Sequence, residues 1–154
     1  MKEIKVRPIE NGTVLDHLPA KSALKVLKIL NLDFNSPVEI VINTTSNSKK
    51  QKDIIFIENK DLTLAEVNKI GLFAQGSTWN TIKDQKVIKK EKIYLPKRAE
   101  NIISCPNSKC ITNFEKIDTK FNVSQENVTC NYCNKAISTK ELSKHFKWKL
   151  YKPF

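Results

Sequence analysis

Glycine is scarce in this sequence: Gly12, Gly71 and Gly76 are the only three in 154 residues. That scarcity excludes a Walker loop and a dinucleotide fingerprint, both of which need clustered glycines so that backbone can wrap a phosphate. Any anionic ligand must be held by side chains. Histidine is scarcer still, and neither His17 nor His145 sits beside a nucleophile and an orienting acid. No run approaches about 18 uninterrupted apolar residues, so no membrane span is expected. The opening Met1-Lys2-Glu3-Ile4-Lys5-Val6-Arg7 interleaves charge with apolar residues and lacks the apolar stretch of a signal peptide. These absences point to a cytoplasmic protein that performs no chemistry of its own.

Acidic residues are also in short supply. Sixteen Asp and Glu face twenty-seven Lys and Arg, a formal charge of +11, which attracts nucleic acid, nucleotide phosphates or an acidic partner. Hydrophobic content of 40% and charged content of 28% are those of an ordinary globular chain.

Glu3 to Ile9 alternates apolar and charged residues and predicts a strand, followed by a turn at Asn11-Gly12. From Pro19 the spacing of Ala20, Ala23, Leu24, Leu27 and Leu30 predicts a helix, with Lys21, Lys25 and Lys28 on its other face. Val38 to Ile42 and Asp53 to Ile57 read as a strand pair around a polar loop, Thr44 to Lys50. Thr63 and Glu66 form a capping-box pair, Leu62 and Val67 a hydrophobic staple, and Leu64, Val67 and Ile70 the apolar side of a second helix closed by Gly71 or Gly76. Thr78 to Ile82 and Lys86 to Tyr94 complete the set around a tight Lys83-Asp84-Gln85 connection. This order predicts an α+β fold, a ferredoxin-like sandwich with two helices on an antiparallel-rich sheet. Leu95 to Glu100 reads as a linker, dividing residues 1–97 from a small β-rich domain at 98–154.

That second domain is organised around cysteine. Four residues separate Cys105 from Cys110, nineteen separate Cys110 from Cys130, and two separate Cys130 from Cys133. Two close pairs of thiolates can converge on one tetrahedral ion. A four-cysteine site has no open position for water or substrate, so one structural zinc ion, Zn(2+), is the leading reading, with an iron centre, redox use or a disulfide as alternatives. Pro106, Asn107 and Ser108 favour a tight turn whose N–H groups stabilise thiolates, as do Asn131 and Tyr132. Phe114, Ile117, Phe121, Val123 and Val128 supply a miniature core, with a closing helix from Ser138 presenting Leu142, Phe146 and Leu150. Trp148, Tyr151 and Phe154 form an aromatic end expected to pack on the module.

Taken together, Gly12-Thr13-Val14-Leu15-Asp16-His17-Leu18-Pro19-Ala20, Lys52-Asp53, Ile57-Glu58-Asn59 and Cys105-Pro106-Asn107-Ser108 with Cys110-Ile111 carry a resemblance. Over essentially its whole length the chain resembles the regulatory chain of aspartate carbamoyltransferase. The resemblance implies a non-catalytic subunit with an N-terminal allosteric domain and a C-terminal zinc domain. It implies that regulatory chains pair with themselves, three such dimers bridging two catalytic trimers, and that CTP, ATP and also UTP act as effectors of pyrimidine biosynthesis. It implies neither nucleic acid nor membrane as a partner. Carried over by position, it implies a nucleotide site of Asp16, His17, Lys52, Asn80, Ile82, Val87 and Lys90, with Val6 and Ile9 near the base through their backbones. Lys90 and His17 would take phosphate, and Asp16 and Lys52 the nucleoside end. Arg7, Phe56 and Lys109 depart from the best-known members, which carry glutamate, lysine and asparagine there. The rival reading is a zinc-ribbon nucleic-acid-binding protein, which the +11 charge favours and the lack of interleaved aromatics and lysines opposes.

Overall fold

Leu15 and Leu18 are both buried, at 0% and 1% exposure, and stand three residues apart, a spacing that suits a helix. In the computed structural model, which describes residues 9–147, they lie on a strand. β1 (Gly12–Pro19) pairs antiparallel with β3 (Gln51–Glu58), Leu15 opposite Ile55 and Leu18 opposite Asp53, so Asp16 and His17 together oppose Ile54. This bulge, with His17 at φ 56°, resets the pleat and returns Leu18 to the face of Leu15. The turn and helix expected here are therefore corrected: Gly12 begins a strand, and Pro19 closes it. Gly12 has φ 144°, and a side chain there would collide with the Ile57 carbonyl oxygen. The strand expected at Glu3 to Ile9 lies outside the described residues except for Ile9, which is buried and belongs to no strand.

α1 (Ala23–Leu30) starts four residues later than Pro19 predicts, because the Pro19 carbonyl accepts from both Ser22 N–H and Ser22 Oγ–H in a turn. Ala23, Val26, Leu27 and Leu30 form its buried face. Its first N–H is capped from another element. The buried Asp53 carboxylate accepts from Lys21 N at 3.0 Å and Asn43 N at 2.8 Å through Oδ1, and from Ala23 N at 2.9 Å through Oδ2. β2 (Val38–Thr45) bulges opposite the same residue, with Val41 facing Ile54 and Thr44 facing Lys52.

α2 (Leu64–Phe73) begins at the capping box that Thr63 and Glu66 predict, each side chain bonded to the other's backbone N–H. Gly71 is buried within the helix, which Ala74 ends, with Gly76 at φ 89° just beyond. β4 (Thr78–Lys83) and β5 (Lys86–Lys92) turn through Asp84 and Gln85, both left-handed at φ 48° and 66°. The strand order is β2-β3-β1-β4-β5, all neighbours antiparallel. Both helices share one core with Leu15, Leu18, Ile55, Ile57 and Ile93, and among the described residues no helix covers the other sheet face. This is the ferredoxin-like arrangement with a fifth strand.

The chain divides into two compact units, Met1–Tyr94 and Leu95–Phe154. Leu95, Pro96 and Lys97, placed with the first domain by sequence, group with the second, where Lys97 O accepts from Val123 N. The expected linker is also shorter, since Arg98–Glu100 is a strand, β6. It heads an antiparallel meander with β7 (Lys120–Val123), β8 (Asn127–Cys130) and β9 (Ala136–Ser138). Phe121 and Val128 are fully buried with Ile103, Ile137, Leu142 and Phe146, whereas Phe114, expected in this core, is 72% exposed. Phe114 is the C-cap of a 3-10 turn, Ile111–Asn113, and belongs to no strand. The closing helix is 3-10 as well, Thr139–His145. Leu150, Trp148, Tyr151 and Phe154 lie outside the described residues.

Candidate anion-binding face and metal centre

Residues paired across neighbouring strands share a sheet face, so the printed register identifies the side chains of the helix-free face. One row runs Glu39, Phe56, Val14, Asn80, Lys90 across all five strands. The next carries Val41, Ile54, the Asp16–His17 bulge, Thr78 and Lys92. A third pair, Ile82 with Val87, joins this face because β5 bulges at Ile88 between Val87 and Lys89. Without that bulge Val87 and Lys90, an odd number of positions apart, would face opposite ways.

The sequence-derived candidates Asp16, His17, Lys52, Asn80, Ile82, Val87 and Lys90 thus fall on one face. Lys52 Nζ lies 2.8 Å from Asp16 Oδ1, and the pair is largely screened, with side chains 17% and 26% exposed. Asp16 Oδ1 also accepts from His17 N at 2.6 Å, while His17 Nδ1 stands 3.6 Å from Asp16 Oδ2 and 3.4 Å from Thr78 Oγ1. Asn80 is nearly buried and donates through Nδ2 to Val14 O at 3.3 Å. Lys90 is exposed on β5, two strands from Asp16, and joins the face rather than the Asp16–Lys52 cluster. Ile9 is buried, and Val6 lies outside the described residues. Sequence reading left out Val14, Ile54, Thr78 and Lys92 of the same face. The alternation of β3 signals Ile54, but the bulges in β1 and β5 conceal the phase of the others.

In the second unit Cys105 follows β6, Cys110 precedes the first 3-10 turn, Cys130 ends β8, and Cys133 lies in the turn before β9. Their four Sγ atoms lie within 4.8 Å of one another, with Cys105 and Cys133 3.5 Å apart and Cys110 and Cys130 3.9 Å apart. Four thiolates about 2.3 Å from one ion would stand roughly 3.8 Å apart, so this donor set fits a tetrahedral metal. Two tight turns build it: Cys110 N donates to Asn107 O at 2.9 Å, and Asn134 N, at φ 61°, donates to Cys130 O at 2.9 Å. Asn113 Nδ2 braces the first of them by donating to Cys105 O and Asn107 O.

Without metal the thiols are unequal. Burial pushes Cys105 up to about 12, against a backbone hydrogen bond from Asn107, and burial also raises Cys130. Cys133 is drawn down to about 6, chiefly by the Asn107 side chain and then by the Lys135 backbone. A cation is the natural compensation for burying several such sulfurs together.

Residues 4–94 match the family model described as aspartate carbamoyltransferase regulatory chain, allosteric domain, and residues 97–143 match its metal binding domain. The chain belongs to the aspartate carbamoyltransferase regulatory chain family. An aspartate carbamoyltransferase regulatory chain of Methanococcus maripaludis strain C5 is 48% identical over 145 residues, spanning 92% of this chain and 98% of the relative. One from Pyrococcus horikoshii is 42% identical over 148 residues, 92% and 97% of the two chains. Membership makes this a regulatory rather than a catalytic chain, with an allosteric first unit and a metal-binding second unit, associated with catalytic chains. Among the described residues no helix is long and apolar enough to cross a membrane.

Proposed function

We propose that the helix-free face of the first unit binds nucleoside triphosphates, CTP and ATP foremost and UTP as a third effector. The single observation that supports this most is the convergence of Asp16, His17, Lys52, Asn80, Ile82, Val87 and Lys90 on one face. Lys90 and His17 take phosphate, and charge-assisted contacts of that kind are among the stronger hydrogen bonds. Asp16, held by Lys52, presents carboxylate oxygen to sugar hydroxyls. The Val6 and Ile9 backbones approach the base.

The second unit holds one structural Zn(2+) through Cys105, Cys110, Cys130 and Cys133. All-sulfur tetrahedral donation suits zinc and leaves it no open position, so the ion organises the fold and supplies no reaction. The folded unit presents a surface to the catalytic chain. Regulatory chains pair through their first units, and three such dimers bridge two catalytic trimers in the cytoplasm. Effector binding then tunes carbamoyl transfer to aspartate in pyrimidine biosynthesis. An effector does this only through different affinity for two global states, each tenfold difference amounting to about 1.4 kcal/mol of coupling.

The test is calorimetric titration of the full chain with ATP and CTP, before and after Lys90→Ala. The substitution is expected to weaken both about tenfold or more, and unchanged affinity for both would overturn the site.

A further inference from the structure

Asn107 stands between the first two cysteines, yet its polar groups reach sulfurs of both cysteine pairs. Its backbone N–H donates to Cys105 Sγ. Its carbonyl accepts from Cys110 N at 2.9 Å and from Asn113 Nδ2 at 2.7 Å. In the side chain, Oδ1 accepts from Lys109 N at 3.0 Å, which fixes the amide and leaves Nδ2 as the donor to Cys133. Both backbone groups and both polar side-chain atoms are thus engaged, and the last contact joins the Cys105–Cys110 loop to the Cys130–Cys133 loop. Cys105 and Cys133, the two sulfurs that share Asn107, stand 3.5 Å apart. Thr112 makes a contrasting contact. Its hydroxyl lies 3.2 Å from Cys110 Sγ, two residues away, and donates once that sulfur is a thiolate, screening it without joining the loops. Cys133 is half-buried whereas Cys105, Cys110 and Cys130 are buried, so it is the ligand that solvent reaches first.

We propose that Asn107 is the positioning residue of the metal centre, holding the most exposed ligand in place from the opposite loop and so setting how long the ion is retained. The proposal rests on the metal-binding reading of the second unit. Four thiolates around a divalent ion leave the centre with net negative charge, and an N–H directed at sulfur spreads part of it, as charge-assisted hydrogen bonds do. Partners outside the ligand set typically change metal affinity about 10–100-fold. Release begins where a competing ligand can reach sulfur. A donor aimed at Cys133 therefore acts on the first step of release, and one aimed at a buried sulfur acts later. Loss of the ion proceeds from Cys133, and the Asn107 amide slows it.

The experiment loads the full chain with Zn(2+) or Co(2+) and compares the parent with Asn107→Ala, Asn107→Asp and Thr112→Val. Release to excess chromogenic chelator gives the rate. Iodoacetamide labelling mapped by mass spectrometry gives the order in which the cysteines come free, and the sulfur-to-cobalt charge-transfer band reports on the thiolates directly. Asn107→Asp keeps the acceptor for Lys109 N and replaces the donor to Cys133 by a carboxylate oxygen. Both Asn107 variants are expected to release metal about tenfold faster or more, with the band moved to longer wavelength. Thr112→Val should change the rate less, and in the parent Cys133 should be labelled first. Release from the Asn107 variants at the parent rate, or faster release with the band unmoved, would overturn the proposal. So would equal acceleration by Thr112→Val, since any lost hydrogen bond to sulfur would then suffice. Should the Asn107 variants fail to load metal, the parent's labelling order decides, and a cysteine other than Cys133 reacting first overturns the proposal. A parent that shows no sulfur-to-cobalt band would instead refute the four-thiolate centre itself.

Discussion

A carboxylate buried as completely as that of Asp53 loses its hydration, and here three backbone N–H groups replace it. They come from the turn before α1, from the first residue of α1 and from the bulge of β2, so one side chain of β3 ties the start of α1 to β2. Each such bond to a charged acceptor is worth about 1.5–3 kcal/mol, and a donor left without its acceptor costs its desolvation in full. Asp53→Asn keeps one oxygen and turns the other position into an N–H donor facing N–H. It is expected to lower stability by about 2 kcal/mol, read as a reduced urea midpoint of the full chain at unchanged slope. An unaltered midpoint would mean that α1 does not depend on this cap. Sequence inspection places Asp53 in a strand and in a resemblance block but gives it no capping role, because nothing in its local pattern shows that two neighbouring strands bulge opposite it.

Elements whose signals are local were legible in advance. The α2 start is written in Thr63 and Glu66, whose reciprocal bonds at 3.2 and 3.1 Å are those of a capping box. Glu66 also takes Lys60 Nζ at 3.1 Å. Thr63→Ala should therefore cost about 1 kcal/mol, visible as a lowered thermal midpoint, whereas Thr63→Ser should cost little. β1 was not legible, and the reason is geometric. Its bulge spaces Leu15 and Leu18 as a helix would, and the Asn11-Gly12 pair before it reads as a turn. The same kind of irregularity hides the phase of β5, where Val87 and Lys90 meet on one face only through the bulge at Ile88. The proposed nucleotide face was thus reached by resemblance, and the register of the strands supplies the physical reason its residues share one face. The four cysteines needed neither route, since paired spacing alone brings thiolates to one ion.

At the scale of the whole molecule, each unit has its own sheet and buried core. A unit of about sixty residues is marginal without a staple, and metal ligation contributes on the order of 10–16 kcal/mol in small zinc modules. Removing the metal with a chelator should unfold the second unit and end association with the catalytic chain, while calorimetry still registers ATP binding. Loss of nucleotide binding together with the metal would show that the units are not independent. Lys86, Lys90 and Lys92 crowd β5, and only Lys89 among its lysines pairs within it, with Glu91 at 3.1 Å. Like charges at such spacing repel one another, and the repulsion is relieved by counterions or by a bound polyanion. The ligand-free first unit thus carries an internal electrostatic tension that ambient salt partly discharges. If the proposed effectors bind here, part of what they contribute is release of a stress already present in the strand, and that part shrinks as ionic strength rises.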